Sequence, residues 1–422
     1  MRKILLLPVI FLFSFCIRIS AQRTCASNEV LQQQISVDPV YAQKVKESEK
    51  QFNDYLKNIA KPGINSRNRG VIIPIVVHVV YNTPDQNISD AQVQSQIDVI
   101  NEDYTASNRD YNNYDAGYRS AKGDFNIRFC LVQIIHKATS KKSFGTNDQM
   151  KKTATGGSDP VDPMHNLNVW VCNLGSNLLG YAYYPGIKPE KFGAVIHFMA
   201  FGRGAGYNLF PAYNKGRTLT HEMGHCLGLV HIWGDSNCGD DLVDDTPLHN
   251  GPNFGCPAQG SRSTCVGTPV MMWMNYMDYT DDPCMYFFTN GQSTRANFFM
   301  DNDPQLNSIV NSTCSNQPSS NQLITNNNSS TNSINGRLVN DWIIYPTITQ
   351  NSFTVQLNSL VAGKASINIY DERGSSISSK NIVVEKGLST NQLDVSKLTN
   401  GLYIVQLKQG TEASVKKLIV QR

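Results

Sequence analysis

The 422-residue sequence predicts an α+β catalytic domain followed by a small all-β sandwich. Three observations predict it. A β-branched run, Val71 to Tyr81, reads as a buried strand and is followed by segments of helical period. A stretch made mostly of Ser, Asn, Thr and Gln then divides the chain near residue 315. Beyond it, short strand patterns alternate with Gly, Asn and Asp at regular spacing.

The chain opens on a processing signal. Arg2 and Lys3 precede an apolar run from Ile4 to Cys16, and Ile19-Ser20-Ala21 ends in the small residue that such cleavage sites require. Residues 1–21 are therefore expected to be removed, which places the rest in a disulfide-permissive compartment. Residues 22–67 are polar and helix-prone, with Tyr41, Val45, Phe52, Tyr55, Leu56 and Ile59 at helical spacing. They end in a turn-rich basic stretch where Arg67 or Arg69 would offer a cut, as suits a removable leader.

The catalytic domain is expected over 68–312. After the first strand, Ser89 and Gln92 form a capping box for a helix carrying Val93, Ile97, Ile100 and Tyr104 on one face. Further strands are expected at 125–135, 167–173 and 194–201, and helical pattern returns over 214–230. In the linker, 313–337, seventeen of the 23 residues from Ser315 to Arg337 are Ser, Asn, Thr or Gln, too polar to bury a core. Residues 338–422 carry strand patterns starting near 342, 353, 366, 377, 402 and 414 and no catalytic constellation.

Composition excludes some classes. With 37 basic against 34 acidic residues, the +3 net charge gives no basic field for nucleic acid. No apolar run of 18 residues lies inside the chain, so no transmembrane helix is expected. A monomer is the simplest expectation.

Chemistry concentrates in Thr220-His221-Glu222-Met223-Gly224-His225-Cys226-Leu227-Gly228-Leu229-Val230-His231. On a helix, His221 and His225 lie one turn apart on one face, so both imidazoles reach one metal. Gly228 can adopt the positive φ that ends the helix and turns the chain back, delivering His231 as a third ligand. Three imidazoles define a tetrahedral zinc site with its fourth position open to water. Glu222, beside His221, is placed to take a proton from that water and pass it to a leaving amine. A structural zinc site would recruit a fourth protein ligand and would have no use for Glu222. His78, His136, His165, His197 and His249 are read as ordinary core or surface histidines.

This pattern resembles the metzincin metalloproteases, whose three-histidine motif is followed by a methionine turn. Asn275-Tyr276-Met277-Asp278-Tyr279 fits that turn. The resemblance implies that Met277 packs beneath the histidines and that Tyr279 stands near the zinc, its phenol available to the reacting carbonyl. Within the metzincins the chain resembles the pappalysin family, in its ulilysin/mirolysin-like branch. The shared stretches are IPIVVHVVY from Ile73, GRTLTHEMGH from Gly216, HIWGD from His231, DDTP from Asp244 and NYMDYTDDPCMYFFTNGQ from Asn275. The resemblance implies an upper subdomain with a twisted mixed sheet and the active-site helix, and an irregular lower subdomain. It also implies that Ala194–Phe201 is the edge strand that pairs with extended protein or peptide substrates.

Cys238, Cys256, Cys265 and Cys284 lie in a loop-rich region, and spacing leaves three pairings open. The family pattern implies Cys238–Cys265 and Cys256–Cys284. Cys130, Cys172 and Cys226 sit in strand or helix runs and are read as buried thiols; Cys314 is unassigned. Asp240, Asp241, Asp244 and Asp245 crowd one loop, which calcium would relieve. The resemblance points to Asp241, the Val243 carbonyl and Thr246 as calcium ligands; an exposed acidic turn is the alternative. Cys25, isolated in the leader, can bind the zinc as a thiolate, and the resemblance implies such a cysteine switch. Asp281 and Asp282 lie where the family builds its primed-side pocket, and a carboxylate there favours Arg or Lys.

Residues 338–422 resemble the sorting domain of proteins exported by the type IX system of Gram-negative bacteria. The similarity lies in Ile344-Tyr345-Pro346, Ile369-Tyr370-Asp371, Leu398-Thr399-Asn400-Gly401-Leu402-Tyr403 and the final Lys416-Lys417-Leu418-Ile419-Val420. The expectation is a latent zinc endopeptidase supported by calcium, secreted or displayed at the cell surface by way of the periplasm. A non-proteolytic zinc amidohydrolase and an inactive surface binding protein are the other readings.

Overall fold

The computed structural model describes residues 24–59, 70–113, 117–175, 178–312, 314, 339–345, 348–359, 362–371, 375–385, 387–409 and 412–421. The expected signal segment, the cut sites at Arg67 and Arg69 and nearly all of the polar linker lie outside them. The chain divides into two compact units, residues 1–319 and 320–422.

Within the segment expected to be a leader, the described part of the first unit has two helices, α1 (Ser27–Val37) and α2 (Pro39–Ile59). The run from Val71 to Tyr81 forms β1, and its nearly unbroken burial explains why it is β-branched throughout rather than alternating. Ser89 caps α3 (Asp90–Tyr104), accepting from the Gln92 amide, and Val93, Ile97, Ile100 and Tyr104 are buried. There follow β2 (Lys122–Gly123), β3 (Ile127–Ala138), β4 (Leu167–Cys172), β5 (Gly180–Ala182) and β6 (Ala194–His197). The active-site helix α4 spans Arg217–Cys226; after a long irregular stretch come β7 (Phe288–Thr289), α5 (Asn290–Asn302) and α6 (Pro304–Val310).

The main sheet has the order β3-β1-β4-β6-β5. Its first four strands run parallel, and β5 is antiparallel to β6. This corrects the expectation that Ala194–Phe201 is the edge strand. That segment is a four-residue internal strand followed by a 3-10 turn, and the edge is Gly180–Ala182. Three residues cannot display a strand period, which is why the sequence hid it.

Cysteines set a second correction. Cys130 is bonded to Cys314, across 184 residues, instead of lying as a buried thiol. Ile127 and Phe129 of β3 point into the core, so Cys130 faces the other way, and β3 is the sheet's outer strand. Cys172 and Cys226 are buried free thiols.

The second unit is all β, with strands β8 (Val339–Tyr345), β9 (Ile348–Thr349), β10 (Ser352–Ser359), β11 (Gly363–Asp371), β12 (Ser376–Val384), β13 (Gly387–Asp394), β14 (Gly401–Gln409) and β15 (Glu412–Val420). They form two sheets, β13-β10-β8 and β12-β11-β14-β15-β9. Trp342, Phe353 and Val355 of one share a core with Ile367, Val405 and Leu418 of the other, the packing of a sandwich.

Candidate active site

Helix α4 is held in place before it holds anything. Asp282 is buried, and its Oδ2 accepts the backbone N–H groups of Lys215 and Arg217 at 2.9 and 3.2 Å, satisfying donors at the helix start. Arg217 in turn grips Asp110 with both terminal nitrogens and donates to the Asp282 carbonyl at 2.9 Å. The Arg217 guanidinium holds the Asp110 carboxyl well below the usual carboxylate range, against the opposing effect of burial. The Asp282 carboxylate thus anchors the helix start, a role the sequence did not suggest, and Asp281 beside it is half-buried.

His221 and His225 project from α4. The helix ends at Gly228, whose φ is +88° and whose missing Cβ would stand 2.3 Å from the Phe299 ring. No other residue meets both demands. The turn brings His231 round so that the Nε2 atom of His225 lies 3.2 Å from those of both His221 and His231. A tetrahedral zinc with Zn–N bonds of about 2.0 Å needs ligand separations of about 3.3 Å. Each Nδ1 meets a fixed acceptor: the Tyr276 carbonyl for His221 at 2.7 Å, the Leu229 carbonyl for His225 at 2.8 Å and Asp235 Oδ1 for His231 at 2.5 Å. Donation from Nδ1 leaves every Nε2 lone pair facing the common point. The donor set therefore fits zinc. Asp235 is the residue that sequence reasoning passed over, although it closes the HIWGD stretch four residues after His231.

Met277 lies under the helix, fully buried. Its sulfur would stand 2.4 Å from a Cβ at Gly224, so the motif's first glycine is an accommodation for the methionine turn. The Tyr279 ring is 5.0 Å from that of His231, and its hydroxyl donates to the Cys25 carbonyl at 2.9 Å.

The leader occupies the remaining space. Cys25 Sγ lies 3.5 Å from His225 Nε2, and the ligand atoms of Cys25, His221, His225 and His231 all fall within 4.8 Å of one another. The same sulfur is 3.3 Å from Glu222 Oε2, to which Ser27 Oγ donates at 2.9 Å. Burial first, then the charge of Glu222, raises the Cys25 thiol well above its ordinary pKa. A cation among the histidines would reverse that balance. Alongside, Ala26 N–H donates to the Gly180 carbonyl and Leu179 N–H to the Thr24 carbonyl, both at 3.1 Å. The leader thus lies along β5 in parallel. Gly180 faces α4 closely, since a Cβ there would meet Glu222 Oε1 at 3.0 Å.

In the lower region Cys238 is bonded to Cys265 and Cys256 to Cys284, the pairs that the resemblance implies. Asp241 is buried, its Oδ1 accepting from Thr246 Oγ1 at 2.7 Å and Val243 N–H at 3.3 Å, while its Oδ2 has no partner. Burial pushes this carboxyl up to about 7. Asp245 is engaged elsewhere, accepting from Thr289 Oγ1 and Gly291 N–H at the start of α5.

Fold and site together define a metzincin-type zinc endopeptidase, and the comparisons with known proteins fix the family. The pattern described as pregnancy-associated plasma protein-A, the M43 peptidases, matches residues 146–301, and that of the secretion system C-terminal sorting domain matches 343–421. An extracellular metalloprotease of Arthroderma otae is 30% identical over 285 residues, 66% of this chain and 90% of that protein. One from Trichophyton verrucosum is 31% identical over 257 residues, covering 58% and 84%. Among solved structures, a promirolysin point mutant of Tannerella forsythia is similar with a TM-score of 0.61 and 38% identity, over 68% of this chain and 97% of that one. Mature mirolysin in complex with a cleaved peptide gives 0.55 and 41%, over 58% and 96%. The chain belongs to the pappalysin (M43) family of metallopeptidases. It is a secreted or cell-surface enzyme whose C-terminal unit is a sorting domain.

Proposed function

We propose that this enzyme is made latent, with residues 22–67 as an inhibitory leader and 68–312 as the protease domain, and that it cuts extended peptides through Glu222. The observation that carries the reading is the convergence of Cys25 Sγ, three Nε2 atoms and Glu222 at one buried point. His221, His225 and His231 would hold zinc, which when bound polarises the scissile carbonyl and acidifies water. Glu222 accepts the proton of the attacking water and returns it to the departing amine, so the peptide bond is replaced by a carboxylate and an amine. Tyr279 donates its hydroxyl to the substrate carbonyl oxygen, as it does to the Cys25 carbonyl. Cys25 and Ser27 together cover the metal and the base in the precursor.

Peptide substrates would pair with β5, the strand the leader uses. Asp281 would favour Arg or Lys at the primed side. Asp241, the Val243 carbonyl and Thr246 would hold calcium, the partnerless Asp241 oxygen supplying the site's free charge. Export would run through the periplasm by way of residues 1–21 and the type IX machinery.

Casein digestion by activated protein tests the reading. It should be lost with a chelator and fall at least about a thousandfold in Glu222→Gln, with zinc content unchanged. Digestion that survives either change defeats it. A Cys25→Ala precursor should digest casein before any cut, and persistent latency would count against the leader's role.

A further inference from the structure

Behind the edge strand lies a buried charged cluster that the reaction above does not use. Asp148 and Lys151 are 5% and 2% exposed, deep enough that an ion pair costs desolvation on both partners. Lys151 Nζ stands 3.3 Å from Asp148 Oδ1 and donates to the Lys191 carbonyl at 2.6 Å. It also faces the rings of Tyr183 and Trp170, at 4.3 and 5.0 Å from their centroids. Both oxygens of Asp148 are engaged by β5 and the residue that follows it: Tyr181 hydroxyl donates to Oδ1 at 3.1 Å and Tyr183 hydroxyl to Oδ2 at 2.5 Å. Asp148 itself sits at φ +60°, in the left-handed region that aspartate adopts more readily than most residues.

The placement matters more than the pairing. β5 has three residues and a single ladder, to β6, so its own hydrogen bonds cannot hold it rigid. Strand alternation puts Tyr181 and Tyr183 on one face and Gly180 and Ala182 on the other. The second face packs against Glu222, with no room for a Cβ at Gly180. The outer edge presents Leu179 N–H, the Gly180 carbonyl and Ala182 N–H, all taken by Thr24, Ala26 and Ser27 of the leader. Lys151 ties down the loop between β5 and β6 through Lys191, while Asp148 clamps the strand itself through two phenols.

We infer that Asp148 and Lys151 are positioning residues for substrate: they fix the register and height of the Gly180–Ala182 edge, so that an extended peptide pairs with it at a set distance from Glu222. The inference rests on the reading that β5 binds substrate.

Kinetics on activated enzyme test both. Tyr183→Phe, which keeps the ring, and Asp148→Asn should each raise KM about tenfold for a ten-residue peptide, with kcat within about twofold. A peptide cut short enough to miss the edge should show the same KM in wild type and variants. Unchanged KM with only a lower thermal midpoint would overturn the inference, as would a fall in kcat alone or an equal KM rise for both peptides. A backbone N-methylated peptide separates the two readings. If wild type binds it as well as the parent peptide, the edge reading fails and the inference with it. If wild type discriminates and the variants keep wild-type KM, the inference alone fails.

Discussion

His231 differs from the other two histidines in what fixes its ring. Its Nδ1 meets the Asp235 carboxylate, where His221 and His225 meet backbone carbonyls. A carboxylate raises the basicity of the opposite nitrogen more than a carbonyl does. Asp235→Asn should therefore weaken zinc binding about 10- to 100-fold, read by competition with a chromogenic chelator, while the fold persists. His78 makes a different residue-scale prediction. Its nitrogens contact Ser158 Oγ and Asn168 Oδ1, its ring stacks on Trp170, and burial pulls its pKa from 6.5 down to about 4. Between those values the unfolded chain binds a proton that the native one refuses, so stability falls as pH drops through that window. The slope is about 1.4 kcal/mol per pH unit. His78→Gln should flatten that part of the thermal midpoint's pH profile; an unchanged slope would contradict it.

At the scale of elements, α2 is attached by more than apolar contact. Arg295, on α5, has a buried guanidinium that donates to the Gly228 carbonyl at 2.8 Å and to both oxygens of Glu49 on α2, with Phe52 and Phe299 stacked nearby. Glu49→Gln leaves that guanidinium with a poorer partner, at about 1–3 kcal/mol. The leader should then dissociate about 10- to 100-fold more readily once cut, measured as the delay before activity appears in a precursor digest. An unaltered delay would assign the leader's hold to the cleft alone. Elements with a strong period were legible in the sequence: β1 from its β-branched run, α3 from its cap and apolar face, α4 from its histidines. β5 was too short to read, and α5, NGQSTRANFFMDN, mixes polar and aromatic residues without a clear stripe. The zinc ligands were legible because one helix turn and one glycine bring them together locally. Asp235's partnership was less so, and Ser27 and Asp282 were not, because they act across long sequence separations.

The whole molecule is two units with separate cores, and the site described above lies in the first. Deleting 338–422 should leave casein digestion by the purified enzyme within about twofold while blocking its appearance outside the cell; loss of activity on deletion would show that the sandwich supports the protease. Where the two units join, the Cys130–Cys314 bond acquires a mechanical meaning. Cys314 lies four residues past the end of α6 and is the last described residue before the polar stretch. A pull passed along the chain to Cys314 would meet a covalent bond to the sheet's outer strand as well as the seven-residue helix α6. That strand, β3, is at the opposite end of the sheet from β5, the strand beside Glu222. In strand order, the tail's covalent attachment and the cutting edge are as far apart as this sheet allows.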